Sequence, residues 1–379
     1  MKLAIFVHDF TYEIGHSKAM IEYIRNFPIE IEELHLVVMK HSPLEELFPN
    51  LKASIHVHRI QGQNLRPALL KNIYFQWASG IVARSLPNDV IKIGVGTACL
   101  DVDMTNIQFI HSQWESHYFK NSRLGLLTKL YKTILFAYEK FCERRLFSKT
   151  HVKFFVIANF LKDYLIANYQ VSPNNIEVAY SHANADYFSP SQKSRQEIFN
   201  ELKSKYPLIQ KLNLQKPICL FVGAFQRKGL QKILNQMEQS QDHFQLIAIG
   251  KNEAGQSVHV PKNIDYYEIS FTRELPLFYS LADVFIFPTI YEPFGLVIIE
   301  AALMGLQVLV TREEVGASEV LNNLEGIHIF SQTDPIPLQE ITMISPDVRM
   351  RWRQERLSKL GPHNWSRASQ KMFELIQKS

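Results

Sequence analysis

Along the chain, short runs of Val, Ile, Leu and Phe alternate with longer stretches in which apolar residues recur at helical spacing. The short runs predict strands over 2–8, 33–39, 54–59, 90–95, 106–111, 152–157 and 176–180, because β-branched and aromatic side chains suit a pleated, buried surface. The helical rhythm occupies 16–26, 66–84, 120–147 and 159–168. Strands separated by helices imply parallel βαβ units covered on both faces. The pattern then restarts, with strands over 218–223, 244–250, 265–269, 284–288 and 307–311. Helices near 228–239, 274–281, 295–304 and 347–359 interleave with them, and one more follows over 363–378. Between the halves, Ser189-Pro190-Ser191-Gln192-Lys193 is polar and carries a proline, as suits a boundary. The expected fold is α/β, with two Rossmann-like doubly wound domains facing a cleft and ligands held at the carboxyl ends of the strands.

With 379 residues, 46% apolar and 21% charged, the chain can bury two cores and is not disordered. Cys99, Cys142 and Cys219 form no Cys-x-x-Cys pair, against a disulfide framework or zinc ribbon and in favour of a reducing compartment. Leu3-Ala4-Ile5-Phe6-Val7 is too short for a signal-peptide core, and no stretch reaches the roughly 20 apolar residues of a membrane span. The net charge of +4 comes with no nucleic-acid-binding motif, so nucleic acid is not an expected partner. The basic excess is local: within 111–150, eight Lys and Arg (Arg123 among them) face three Glu. Trp114, Tyr118, Leu124, Leu127, Ile134 and Phe141 interleave with these cations. A packed helix with a solvated basic face accounts for the pattern; docking on an anionic leaflet accounts for it too and is the reading taken, each cation there adding about 1 kcal/mol.

The chemistry concentrates in Val284–Ala301, VFIFPTIYEPFGLVIIEA. A strand runs into a loop carrying Glu292, and a helix begins near Gly295 with Glu300 one turn inside it. Helix starts present unpaired N–H groups and partial positive charge to an anion. Two carboxylates beside such a terminus suit a sugar nucleotide, whose hydroxyls they accept while the amides take the diphosphate. Strand 218–223 ends at Gly223, and Arg227 and Lys228 follow it at the start of the next helix, where they can neutralise a departing diphosphate without a metal. After the first strand, in Thr11–Ser17, Gly15 permits close backbone approach. Asp101-Val102-Asp103 fits a metal-binding D-x-D, but the diphosphate already has cations and a helix terminus, so no metal or other cofactor is expected. His56 and His58 share a strand face without a third ligand, and Gly94-Val95-Gly96 opens no helix of the dinucleotide type.

Glu292–Glu300 resembles the E-x7-E motif of family 4 retaining glycosyltransferases of the GT-B fold, and Phe221–Gly223 through Arg227-Lys228-Gly229 is similar to that family's donor-phosphate motif. Phe154–Val171 with 176–190, and Trp365-Ser366-Arg367-Ala368, extend the resemblance over nearly the whole chain, most like the lipopolysaccharide-core glucosyltransferases. The resemblance implies an acceptor-binding domain of 1–188 plus 362–379, its last helix crossing back, and a donor-binding domain of 189–361. It implies that Glu292 binds the donor hexose, assisted by the Phe294, Gly295 and Leu296 backbone, and that Glu300 holds the ribose. Arg227 and Lys228 would stabilise the diphosphate, Gly15 would approach it from the other domain, and His111, ending the 106–111 strand, would lie near the anomeric carbon. Relatives often carry Gly-Gly where this chain has Ile14-Gly15, and Asn-Gly where it has Ser181-His182-Ala183-Asn184. The expected protein is a retaining hexosyltransferase using UDP-glucose, acting on a lipopolysaccharide-core or other cell-surface acceptor. It would be cytoplasmic and peripheral on the inner face of the cytoplasmic membrane. A GT-B sugar-nucleotide epimerase and a catalytically idle sugar-nucleotide-binding protein are the alternatives.

Overall fold

The computed structural model describes residues 1–12, 14–121, 125–252 and 258–378. Its strands, in chain order, are β1 (Lys2–Phe6), β2 (Asp9–Phe10), β3 (Glu33–Val38), β4 (Lys40–His41), β5 (Ser54–Arg59), β6 (Val90–Val95), β7 (Met104–Ile107), β8 (Lys153–Val156) and β9 (Ile176–Val178), then β10 (Ile218–Ala224), β11 (Phe244–Lys251), β12 (Ile264–Ile269), β13 (Val284–Phe287), β14 (Gln307–Thr311) and β15 (Ile327–Phe330). The helices are α1 (Gly15–Arg25), α2 (Leu44–Leu47), α3 (Ala68–Ser85), α4 (His111–Asn121), α5 (Leu126–Phe147) and α6 (Asn159–Tyr169), then α7 (Arg195–Lys205), α8 (Leu230–Glu238), α9 (Leu275–Leu281), α10 (Leu296–Leu303), α11 (Gly316–Leu321), α12 (Pro346–Leu360) and α13 (Trp365–Gln377). The chain divides into two compact units, Met1–Ser181 with His363–Ser379, and His182–Pro362.

In the first unit seven parallel strands run in the order β5-β3-β1-β6-β7-β8-β9; in the second, six run β12-β11-β10-β13-β14-β15. Every strand pair is parallel, so each needs a crossover, and the strands between helical layers are apolar at nearly every position: β13 and β14 are buried throughout. The helices lie on these sheets by their apolar stripes. On α8 the stripe is Leu230, Ile233, Leu234 and Met237, at the i, i+3, i+4, i+7 spacing of one helix face. In α13, Ala368, Met372 and Leu375 enter the first unit's core beside Tyr23, and Ser369 donates to the Tyr23 carbonyl at 3.0 Å.

Besides the short elements β2, β4, β15, α2 and α11, which the apolar rhythm did not predict, the structure departs from the sequence expectations in four places. The second unit begins at His182, upstream of the expected 189, because Arg353 of α12 donates to the carbonyls of Ala185 and Phe188 at 2.8 and 2.6 Å and so ties that segment to its own unit. The Ser189–Lys193 stretch precedes a helix that the apolar rhythm had not revealed, α7, whose start is fixed by a capping box between Ser194 and Glu197. The single helix expected over 120–147 is two, α4 and α5, and Gly125 in extended conformation opens the second. Finally, β7 stops at Ile107, so His111 does not end a strand: it is the first residue of α4.

Candidate active site

In the second sheet, β10 leads outward through β11 to β12, whereas β13 leads the opposite way through β14 to β15. The crevice between β10 and β13 is therefore the point where strand order reverses, the place where such sheets bind ligands. Register fixes the two loops there side by side, since Cys219 pairs with Val284 and Leu220 with Phe285. The turn after β10 carries Arg227 and Lys228; the loop after β13 carries Glu292. Lys228 and Glu292 meet as an ion pair, with Lys228 only 5% exposed and the Glu292 side chain 16%. The Lys228 ammonium also lies 5.7 Å above the Phe287 ring at the end of β13, a cation–π contact that holds it at the crevice.

Backbone geometry makes room for this pair. Gly223 has φ +147°, and a Cβ there would sit 3.1 Å from Lys228 Cγ, in the path of the lysine stem. Gly295 has φ +92° and caps α10; a Cβ there would lie 2.6 Å from Ile298 Cδ1 and 3.0 Å from Glu292 Cγ. The glycine lets the chain enter the helix directly behind the glutamate. Ile298 and Ile299 amides are taken by the Gly295 carbonyl at 2.9 and 3.4 Å, which leaves the amides of Leu296 and Val297 as the helix-start donors for an anion. Glu292 is further fixed by its main chain, its amide donating to Glu314 at 2.9 Å and its carbonyl accepting from Gly316 at 3.1 Å. Phe294, buried, accepts the Ala317 amide at 2.8 Å.

Glu300 lies one turn into α10, 6% exposed, and its carboxylate accepts from the Tyr279 hydroxyl at 3.2 Å. That hydroxyl also reaches the Val297 carbonyl at 3.2 Å, and burial beside Glu300 pushes its pKa well above the usual value. Thus Lys228, Glu292, Gly223 and Gly295 converge at one crevice, and Arg227, half-buried, stands next to Lys228 on the same turn. Leu296 and Glu300 belong to the helix that starts there.

Gly15 and His111 belong to the other unit. Gly15 is the first residue of α1, exposed, and a Cβ there would meet nothing within 4 Å, so its own unit sets no steric need for glycine at this turn; Glu13 of the same turn lies outside the described residues. His111 is held from α5 by two acids that sequence reading had counted only as charges. Glu143, 1% exposed, accepts the His111 and Ser112 amides at 2.5 and 3.1 Å, capping α4 from a neighbouring helix. Burial raises its pKa against these bonds. One turn earlier Glu139, 4% exposed, stands 3.9 Å from His111 Nε2 and accepts from Asn72 at 2.6 Å. This cap is why a helix, and not a longer strand, begins at His111.

Other sequence features resolve into local roles. Asp101 pairs with Arg84 and Lys149, while Asp103 accepts the Lys92 amide at 2.8 Å. His56 and His58 flank His35 of the adjacent strand, with ring centroids 4.9 and 5.2 Å from it. No group of three or more His, Cys, Asp or Glu among the described residues is arranged to hold a metal ion. Within the basic segment, Arg123 and Leu124 lie outside the described residues. Trp114 and Tyr118 are half-buried, whereas Leu126, Leu127, Leu130, Ile134 and Phe141 are at least half exposed on α5. No helix among the described residues is long and apolar enough to cross a membrane.

Comparison with known proteins places this site in context. Residues 216–340, which span β10 through β15, match the sequence model of the family described as glycosyl transferases group 1. An uncharacterized 41.2 kDa protein in the cps region of Klebsiella pneumoniae is 29% identical over 187 residues; the match spans 48% of this chain and 48% of that relative, about half its length. Among solved structures, the fold is similar to WaaG, a glycosyltransferase involved in lipopolysaccharide biosynthesis, at TM-score 0.73, 15% identity and full coverage of both chains. It is also similar to Anabaena HepE in complex with UDP and glucose (TM-score 0.66, 10% identity, full coverage of both). The lipopolysaccharide outer core galactosyltransferase WaaB matches at TM-score 0.61 and 10% identity, over 100% of this chain and 99% of that one. The likeness to glycosyl transferases group 1 thus covers residues 216–340, and the chain as a whole has the two-Rossmann GT-B fold of these solved structures.

Proposed function

We propose that this protein is a retaining glycosyltransferase that moves a hexose from a nucleotide-diphosphate sugar, UDP-glucose foremost, to a lipopolysaccharide-core or other cell-surface glycan acceptor, without a metal. The observation that carries this reading is the Lys228–Glu292 pair at the β10/β13 switch point, beside the glycine-capped start of α10. A diphosphate takes the Leu296 and Val297 amides together with the Lys228 and Arg227 cations, and Glu292 turns its carboxylate to the hexose hydroxyls. Glu300, oriented by Tyr279, accepts from the ribose. As the bond from the anomeric carbon to the phosphate oxygen breaks, Lys228 and Arg227 take up the charge that develops there. The new bond forms to an acceptor hydroxyl, whose proton passes to the leaving phosphate. His111, fixed by Glu143 and Glu139, is assigned to the acceptor-side unit's contribution.

The names of the similar proteins support the substrate classes. HepE is described with UDP and glucose, WaaG and WaaB with lipopolysaccharide, and the Klebsiella relative with a cps region. A surface-glycan acceptor built on lipid goes with peripheral attachment to an anionic leaflet on the cytoplasmic side, through 111–150, where Lys129, Arg144 and Arg145 are exposed beside the apolar residues of α5. The direct test is slow release of the nucleoside diphosphate from each sugar nucleotide by the purified protein, with and without EDTA. UDP-glucose hydrolysis that survives EDTA and is abolished in Glu292→Ala and Lys228→Ala is expected. Near-normal turnover in both variants would defeat the site assignment.

A further inference from the structure

The first unit carries a second exposed apolar row, outside the basic segment, on α3. Leu70, Ile73, Trp77 and Ile81 are 52, 40, 62 and 45% exposed, and their spacing of three, four and four puts them on one helix face. Single exposed apolar residues need no explanation, but a contiguous row of four large ones on a helix does.

Its neighbour is α5. The Leu69 amide donates to the Tyr131 hydroxyl at 3.3 Å, and seven residues on, the Gln76 side chain accepts from Tyr138 at 2.8 Å and from Cys142 at 3.3 Å. Both chains advance together through these contacts, so the two helices run parallel. At about 100° per residue, the exposed row of α3 lies roughly a third of a turn from the row facing α5. On α5, the exposed row Leu127, Leu130, Ile134 and Phe141 lies roughly a quarter turn from the row facing α3, in the opposite rotational sense. For parallel side-by-side helices, opposite senses put both rows on the same side of the pair. The two ridges form one broad apolar surface.

Its charge is one-sided. Helix α3 contains no acid, and the only two on α5, Glu139 and Glu143, are turned inward, 4 and 1% exposed. Arg144 and Arg145 are exposed at the end of the α5 row, with Arg145 5.7 Å over the Phe141 ring, whereas Lys71 of α3 and Lys140 of α5 are paired with Asp9 and Glu115. Arg84, 62% exposed and shared with Asp101, stands in the last turn of the α3 row.

We propose that α3 and α5 together form the surface by which this protein lies on an anionic lipid leaflet, with Trp77 entering at the headgroup–acyl boundary. Buried acids, outward arginines and an exposed tryptophan on one face match the interfacial region of a membrane. The inference rests on the reading that the protein works at a membrane surface, and it adds α3 to the segment that reading used.

The test is co-sedimentation of the full chain with phosphatidylglycerol and with phosphatidylcholine vesicles at moderate salt, for the parent, Trp77→Glu and Leu130→Glu. Tryptophan quenching by brominated lipid is read in the parent and in Trp77→Phe, and donor hydrolysis reports that each variant is folded. Parent binding to the anionic vesicles, a loss of at least tenfold in partitioning for both charged variants, and quenching that Trp77→Phe largely removes are expected. If the parent binds, Leu130→Glu releases it and Trp77→Glu binds as the parent does, α3 is outside the contact and the inference is overturned while the membrane reading stands. If the parent ignores anionic vesicles, both fall. A concentration-dependent dimer that Trp77→Glu dissociates, without vesicle binding, assigns the face to a second copy of the chain and overturns the proposal as well.

Discussion

The role in transfer proposed for the Lys228–Glu292 pair separates from its role in stability in a double-mutant cycle. Lys228→Met keeps the aliphatic stem against Gly223 and Phe287 but removes the ammonium. Glu292 is then a mostly enclosed carboxylate, 16% exposed, facing no ammonium. Removing one partner of a fully buried pair costs about 3–5 kcal/mol. The solvent that Glu292 retains brings the expected loss to roughly 2 kcal/mol of unfolding free energy. Lys228→Met/Glu292→Gln removes both charges, and replacing a pair outright is near neutral, so stability should return to within about 1 kcal/mol of the parent. Transfer should not return. An electrostatic donor aimed at developing charge is worth about 10²–10³ in turnover, or about 2.7–4 kcal/mol of barrier. Lys228→Met should therefore lose at least that factor, and the double variant no less. Urea unfolding of the parent, two single variants and the double variant gives the coupling energy; single-turnover transfer from UDP-glucose gives the barrier. Additive stability losses would show that the pair does not couple. A double variant with transfer within fivefold of the parent would remove Lys228 from the mechanism.

Other perturbations test the supports of the site. Gly295→Ala, forced to φ +92° with its methyl against Ile298, should cost about 1–3 kcal/mol and lower donor affinity, read as a smaller thermal shift on adding the nucleotide sugar. Arg356→Met strips donors from the Ala302, Leu306 and Glu325 carbonyls at a fully buried position and should destabilise by at least about 3 kcal/mol in urea unfolding. His8, whose ring lies tilted with its centroid 4.1 Å from that of Phe75, is pushed down to about 3 by burial. The folded state then binds fewer protons than the unfolded state between about pH 3 and 6.5, so stability is lost as the pH is lowered through that window, by about 3 kcal/mol at about pH 4.5 relative to neutral pH. Comparing the pH dependence of unfolding in the parent and in His8→Phe isolates this term; parallel curves would remove His8 as the source.

The parallel strands and their restart after the middle of the chain were legible because strands buried on both faces leave near-continuous apolar runs, such as ICLFV and VFIF. Glu292, Glu300, Arg227 and Lys228 were legible because each follows a strand end or opens a helix, where main-chain geometry itself attracts ligands. The Lys228–Glu292 contact was not, since it joins positions 64 apart that only the β10/β13 register brings together. His111 was misplaced at a strand end because the agent that starts α4 is a carboxylate 32 residues later. Local sequence at 108–111 carries no capping residue of its own. The α7 start was legible in principle as Ser194-x-x-Glu197, a capping box hidden by the polar stretch before it. The stripe on α3 was overlooked because its neighbours Tyr74, Phe75 and Ala83 are apolar too, and periodicity cannot say which apolar face is outside.

The most basic helix of the second unit shows how far a site's support extends beyond its motif. The α12 sequence PDVRMRWRQERLSKL reads as a solvated face, yet Arg349, Arg353 and Arg356 are 8, 8 and 0% exposed. Arg349 donates to the helix-end carbonyls of Tyr279, Ala282 and Met304, Arg353 to that of Leu303 and Arg356 to that of Ala302, while Arg353 also serves the loop carbonyls of Ala185 and Phe188 and Arg356 those of Leu306 and Glu325. The helix-end carbonyls among them are the last ones of α9 and α10, the groups a helix leaves unsatisfied and partially negative. A planar guanidinium can serve several carbonyls from one buried position, which an ammonium on a flexible stem cannot match. Burial is costly enough to draw Arg356 down to about 9 and Arg349 to about 10, so the carbonyls offset only part of the desolvation. What the arrangement secures is position. Arg349 fixes the Tyr279 carbonyl, the Tyr279 hydroxyl holds Glu300, and the same helix that carries Glu300 opens at Gly295 behind Glu292. The geometry of the E-x7-E segment is thus set from its far end, by three arginines more than 48 residues downstream of Glu300.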